Sequence, residues 1–103
     1  MSIVLVGGHD RMRSEYTGIC SSRGHHVKVY TQMPARFEKV IGRPDGIVLF
    51  TSTVSHQMIH TAVKEAKRKN IPVFRCHSSS GNSLTGLLQE IEAKLRLSRK
   101  VSH

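Results

Sequence analysis

The apolar positions of this chain fall into short blocks that alternate between a strand period and a helix period. Ser2 to Val6 is a β-branched run stopped by Gly7-Gly8, which reads as a buried strand followed by a turn. Met12, Tyr16 and Ile19 then recur at helical spacing, and Gly24 stands where a helix C-cap is expected. His26 to Tyr30 alternates as a second strand, with Val27 and Val29 facing one way. Pro34 fits the first turn of a short helix carrying Phe37, Val40 and Ile41. Beyond the Pro44-Asp45-Gly46 turn, Ile47 to Phe50 reads as a fully buried strand. Val54, Met58, Ile59, Ala62, Val63 and Ala66 then form one apolar stripe of an amphipathic helix, which Asn70 ends. Ile71-Pro72-Val73-Phe74 begins a fourth strand, proline being tolerated at a strand start. A polar loop over 77–83 leads to a last helix with Leu84, Leu87, Leu88, Ile91 and Leu95, where Glu90/Lys94 and Glu92/Arg96 stand four apart.

This β-α-β-α-β-α-β-α order predicts an α/β fold, a minimal Rossmann-like or flavodoxin-like domain. A four-stranded parallel sheet would carry helices on both faces, because right-handed crossovers place them there. One domain is expected over 1–97, with 98–103 a basic C-terminal tail. Its edge strands leave hydrogen-bonding groups open, so a homodimer is the expected assembly. No apolar run approaches the ~20 residues of a membrane span, and the first residues lack the basic flank of a signal peptide. The expected location is therefore the cytoplasm, where Cys20 and Cys76 would be thiols.

Charge alters the picture. Sixteen Lys and Arg against seven Asp and Glu give a formal +9. Such an excess implies an anionic partner: a phosphorylated ligand, a carboxylate-bearing cofactor or nucleic acid. With no Trp, two Tyr and three Phe, stacking platforms for single-stranded nucleic acid are not expected.

In open parallel sheets, ligands bind beyond the carboxyl ends of the strands, where the strand order switches. Gly7-Gly8 there permits close backbone approach and opens onto a helix N-terminus, although a plain strand-to-helix turn asks for the same residues. There is neither a third glycine for a dinucleotide fingerprint nor the lysine of a nucleotide-triphosphate loop. His9 follows at the mouth, and Arg11 and Arg13 bring guanidinium forks suited to carboxylate or phosphate. Thr51-Ser52-Thr53 offers more hydroxyls than helix capping consumes, leaving Thr51 and Ser52 as candidate ligand contacts. His56 and His60, four apart on one helix, can pair on a metal, but no third ligand accompanies them.

Within Arg75-Cys76-His77-Ser78, Cys76-His77 is the most informative pair. A thiol and an imidazole at a strand end can ligate soft or borderline metals, or haem iron. Adjacent strand residues point to opposite faces, which argues against a direct Cys76–His77 nucleophile–base dyad. Cys76 also fits a small buried hydrophobe, as Cys20 does more plainly. Asp10 is the only carboxylate among these segments, which counts against paired-carboxylate hydrolysis and a magnesium phosphotransfer site.

The run Ile-Val-Leu-Val-Gly-Gly-His-Asp at the start, Gly46-Ile-Val-Leu-Phe-Thr-Ser-Thr-Val-Ser-His56 in the centre and Arg75-Cys76-His77 resemble a family of small bacterial cytosolic proteins. That family is catalogued as domain of unknown function 2325, and the resemblance extends over residues 2 to about 95. It implies a Rossmann-like fold and haem binding with sensitivity to oxygen. The candidate iron ligands are then His9, His56, Cys76 and His77, and the candidate propionate partners Arg11, Arg13 and Arg75. The resulting expectation is a haem-binding protein that promotes oxygen-dependent haem breakdown or senses haem, with its enzymatic status left open. One alternative is a module binding a phosphorylated small molecule or nucleotide. A second is a nucleic-acid accessory, which rests on charge alone.

Overall fold

In the computed structural model, which describes the backbone of residues 1–101 and the side chains of residues 1–95, the predicted alternation is present. The elements are β1 (Ser2–Val6), α1 (Arg13–Ser22), β2 (His26–Tyr30), α2 (Phe37–Val40), β3 (Gly46–Phe50), α3 (His56–Lys69), β4 (Val73–Cys76) and α4 (Gly81–Val101). A 3-10 turn, Asp10–Met12, leads into α1. All three strand pairs are parallel, in the order β2-β1-β3-β4. β1 and β3 are therefore interior, which explains why their runs are apolar at successive positions and not alternating.

Each face of the sheet carries its own core. Ile3, Leu5, Val48 and Phe50 point toward α1 and α4, where they meet Tyr16, Cys20, Leu84, Leu88 and Ile91. Val4, Val6, Ile47 and Leu49 point the other way, onto Phe37, Ile41, Met58, Ala62 and Ala66 of α2, α3 and the turn between α2 and β3. Burial pushes the Cys20 thiol up to about 11, so it serves as a small apolar group. Cys20 and Cys76 are both free.

Three boundaries differ from the sequence reading, each for a local reason. Arg36 takes the left-handed conformation (φ 55°), so helical geometry does not run back to Pro34 and α2 begins at Phe37. Asn70 is also left-handed (φ 56°), and Ile71 N–H donates to the Ala66 carbonyl at 2.8 Å. Ile71 therefore completes the cap of α3, and β4 starts at Val73 rather than Ile71. The N-cap of α3 is Ser55, whose hydroxyl accepts from Met58 N–H at 3.2 Å, not a member of Thr51-Ser52-Thr53. The last helix runs from Gly81 to Val101.

The Glu92/Arg96 pair expected from the sequence falls on Arg96, whose side chain lies outside the described residues. The carboxylate of Glu92 reaches across to the end of α1. Arg23 donates to it twice, from Nε at 2.8 Å and from Nη2 at 2.6 Å, and His25 Nε2 lies 2.7 Å from Oε2. The expected Glu90/Lys94 pair is absent among the described ion pairs, and Lys94 Nζ sits 5.8 Å from the Phe74 ring centre instead. The bidentate bond from Arg23, then the contact with His25, holds the Glu92 carboxyl down at about 2.

Replacing Glu92 with Gln should cost about 1.5–3 kcal/mol, because it leaves Arg23 and His25 without their half-buried partner. With the folded-state value depressed to about 2 from 4.5, the stabilisation is present above 4.5 and fades as pH falls toward 2. Chemical denaturation from pH 7 to 2 checks both points: the E92Q chain should start less stable and lose less on acidification.

Candidate functional site

The strand order reverses between β1 and β3, so the crevice at their carboxyl ends is where a ligand is first sought. Here it is filled by the protein itself. Gly7 and Gly8 both have positive φ, 104° and 85°. A Cβ on Gly8 would stand 2.7 Å from the ring of Tyr16, and one on Gly7 3.0 Å from the Phe50 carbonyl oxygen. Gly7 N–H donates to the Tyr30 carbonyl and Gly8 N–H to Thr53 Oγ1, both at 2.8 Å. The two glycines thus admit a tight turn against an aromatic ring, and their N–H groups are already used.

Tyr16 is fully buried, its ring centre 5.2 Å from that of Phe50, and its hydroxyl donates to the Ser79 carbonyl at 2.7 Å. It links the β1 turn to the loop that joins β4 and α4.

That loop and α4 border an open groove of about 900 Å³. Arg75, Cys76, His77 and Ser78 form one wall, and a stripe of α4 that includes Ser83, Gly86, Leu87, Glu90 and Ala93 forms the other. The spacing of that stripe, three and four residues apart, marks one helical face. It runs beside the buried stripe of Leu84, Leu88 and Ile91, which holds α4 on the sheet. Cys76 is half-buried and donates to the Ser78 carbonyl at 3.0 Å, and burial pushes its thiol up. Arg75 and His77 are exposed. Ser80 caps the first turn of α4 by accepting from Ser83 N–H at 3.2 Å, and its own N–H donates to Ser78 Oγ at 3.3 Å.

The remaining candidates are distributed around the carboxyl ends of the strands. His9 is exposed and its carbonyl accepts from Met12 N–H, closing the 3-10 turn. Arg13 is engaged with Thr31 Oγ1 at 3.1 Å and Asp10 Oδ1 at 3.4 Å, beside a smaller groove of about 400 Å³ at the end of β2. The Thr31 hydroxyl also donates to Asp10, and that bond, with Arg13, lowers the Asp10 carboxyl below its ordinary value. Arg11 is exposed, and so is Ser52; Thr51 N–H donates to the Cys76 carbonyl at 3.0 Å, extending the β3–β4 pairing. His56 opens α3 on its exposed side. Of the twelve residues named from the sequence, Arg75, Cys76, His77 and Ser78 line the larger groove. Sequence reasoning missed its second wall: Gly86 and Ala93 are small residues beside the Leu84/Leu88/Ile91 stripe, and that was the available signal.

Among the described residues no three His, Cys, Asp or Glu side chains meet as a cage for a bare ion. No helix among them is long and apolar enough to cross a membrane.

The crystal structure of NtrX from Brucella abortus in complex with ADP is similar in fold, with a TM-score of 0.52 at 17% identity, covering 98% of this chain and 28% of that one. A phosphoheptose isomerase from Tolumonas auensis is 31% identical over 90 residues; the match takes in 81% of this chain and 47% of the isomerase. A family model described as "Uncharacterized protein conserved in bacteria (DUF2325)" matches residues 2–91, and the chain belongs to that family.

Proposed function

We propose that this is a haem-binding protein and that haem lies in the groove between β4 and α4. The observation that supports this reading is the convergence, in one open groove, of an imidazole, a thiol, a guanidinium and an apolar helix stripe. Haem asks for an axial side chain, cations for its propionates and an apolar surface for its macrocycle. His77 is the preferred axial ligand, since its imidazole is exposed, whereas the Cys76 thiol keeps its proton and is spent on the Ser78 carbonyl. Arg75 would face a propionate, and Leu87 with Gly86 and Ala93 would lie against the ring. Bound haem would supply redox chemistry at iron. The chain's own part is to hold the ring and to limit water at its α4 side. The groove is open to solvent beside the unpaired edge of β4, so a homodimer formed across that edge would cover it.

A second reading is favoured by a separate observation, the likeness to a phosphoheptose isomerase. The same groove, with Ser78 and Ser83 near the N-terminus of α4, offers hydroxyls and Arg75 to a phosphorylated sugar. The chain spans 47% of that relative, so this reading takes up only the ligand class and not the isomerase reaction.

Titration with hemin separates the two readings. Haem binding should give a Soret band that His77→Ala shifts or weakens by at least tenfold in affinity, Arg75→Ala weakens less, and Lys28→Ala leaves unchanged. Equal spectra for all four proteins would sink the haem assignment. A heptose phosphate that raises the melting temperature, with no Soret band from hemin, would favour the second reading instead.

Assembly supplies an independent check. Light scattering at micromolar protein should return twice the chain mass when haem is bound, and the monomer mass with haem bound would remove the dimer from the proposal.

A further inference from the structure

The two edges of the sheet are finished differently. On β2, His26 and Lys28 are exposed, and charge along an edge strand deters pairing. On β4 the Pro72 and Cys76 carbonyls accept from Ile47 and Thr51 N–H, in and just after β3, both at 3.0 Å. Alternate residues therefore face β3, and the N–H and C=O groups of Val73 and Arg75 point outward. Half-buried apolar side chains flank this edge on both faces. On one face, Lys69 Nζ donates to the Gly42 carbonyl just past α2, at 2.8 Å. The opposite flank of α3, with Ile59 and Val63, is thus turned toward β4 on the face that carries Val73. On the other face, Arg23 and His25 beside α1 hold Glu92. The opposite flank of α4, with Leu87, Glu90 and Lys94, thus overhangs β4 on the face that carries Phe74.

We infer that β4 pairs antiparallel with β4 of a second copy, and that α4 of that copy forms the outer wall of the groove. The inference rests on the edge named in the haem reading, but the pairing itself needs no haem. A twofold axis perpendicular to the sheet keeps α4 of both copies on one face. Opposite residues of antiparallel strands share a face, so the axis passes through a residue, Phe74 or Arg75. Arg75 facing itself would set two guanidinium groups together, which places the axis at Phe74. Val73 of each copy then lies opposite Arg75 of the other, and their outward N–H and C=O groups exchange bonds. Phe74 falls at the non-hydrogen-bonded position, where facing side chains come closest.

Charge on α4 fits the same axis. Glu90 and Lys94 are exposed and take part in none of the described ion pairs. Lys94 Nζ lies 5.8 Å from the Phe74 ring centre, and helical side chains lean toward the helix N-terminus. The Lys94 backbone is thus below the level of Phe74, while Glu90, one turn nearer that N-terminus, lines the groove with Cys76 above it. Rotation about Phe74 sets Glu90 of each copy against Lys94 of the other. Gly86 and Ala93 on the same flank let the two helices approach, and the twist of the sheet splays them apart toward His77.

Sedimentation of the haem-free chain at micromolar concentration tests this, with the melting temperature recorded for every variant. The wild-type chain should run at twice the chain mass. Glu90→Lys sets lysine against lysine and Lys94→Glu sets glutamate against glutamate, so each alone should weaken the dimer by at least about tenfold. Mixed one to one, the two variants should recover the dimer, because each supplies the charge that the other lacks. Both variants remain strongly cationic, so bulk attraction cannot account for recovery. Val73→Pro removes an outward N–H without removing a bond to β3, and should be monomeric with wild-type helical content. A monomeric wild-type chain, single charge variants that dimerise normally, a mixture that stays monomeric or a dimeric V73P chain would each overturn the inference. Hemin separates it from the haem reading: a dimer that gives no Soret band defeats that reading alone, and a Soret band from a chain monomeric throughout defeats this inference alone.

Discussion

The absence of a side chain at Gly8 sets where everything at this end of the sheet can lie. Tyr16 occupies the space a Cβ would take, and from there its hydroxyl reaches the Ser79 carbonyl. One aromatic residue thereby closes the β1–β3 crevice and anchors the loop between β4 and α4. A buried phenol must find a partner, and the Ser79 carbonyl is the partner it finds. Gly81, the first residue of α4, lets that helix approach α1 closely: a Cβ there would be 3.1 Å from Ile19 Cδ1. With the crevice filled from within, the open volume moves outward to the β4 edge, and the candidate site moves with it.

Polar contacts across the α1–α4 layer follow the same economy. Arg23 and His25, just past α1, take up the carboxylate of Glu92, and Tyr16 takes up a loop carbonyl. Among the described side chains no buried nitrogen or oxygen is left without a hydrogen bond. The α2–α3 layer spends its one buried carboxylate, Glu65, on Arg68 and Lys69, and Lys69 goes on to donate to the Gly42 carbonyl at 2.8 Å.

The sequence by itself determined the alternation of elements, the parallel sheet and both cores. Val4 to Val6 and Ile47 to Phe50 are apolar at successive positions because interior strands are covered on both faces, and Met58, Ala62 and Ala66 repeat at helical spacing because one side of α3 is covered. These are local periodicities, and burial alone imposes them. It also marked Arg75-Cys76-His77 as chemically unusual at a strand end. What only the tertiary structure decided was which of the segments at the carboxyl ends share a space. Whether Gly7-Gly8 cradles a ligand or an aromatic ring depends on a residue from α1; whether Arg13 is free depends on Thr31 at the end of β2; which partner Glu92 takes depends on where α1 ends. Those outcomes turn on contacts between residues far apart in the chain, and no spacing along one element encodes them.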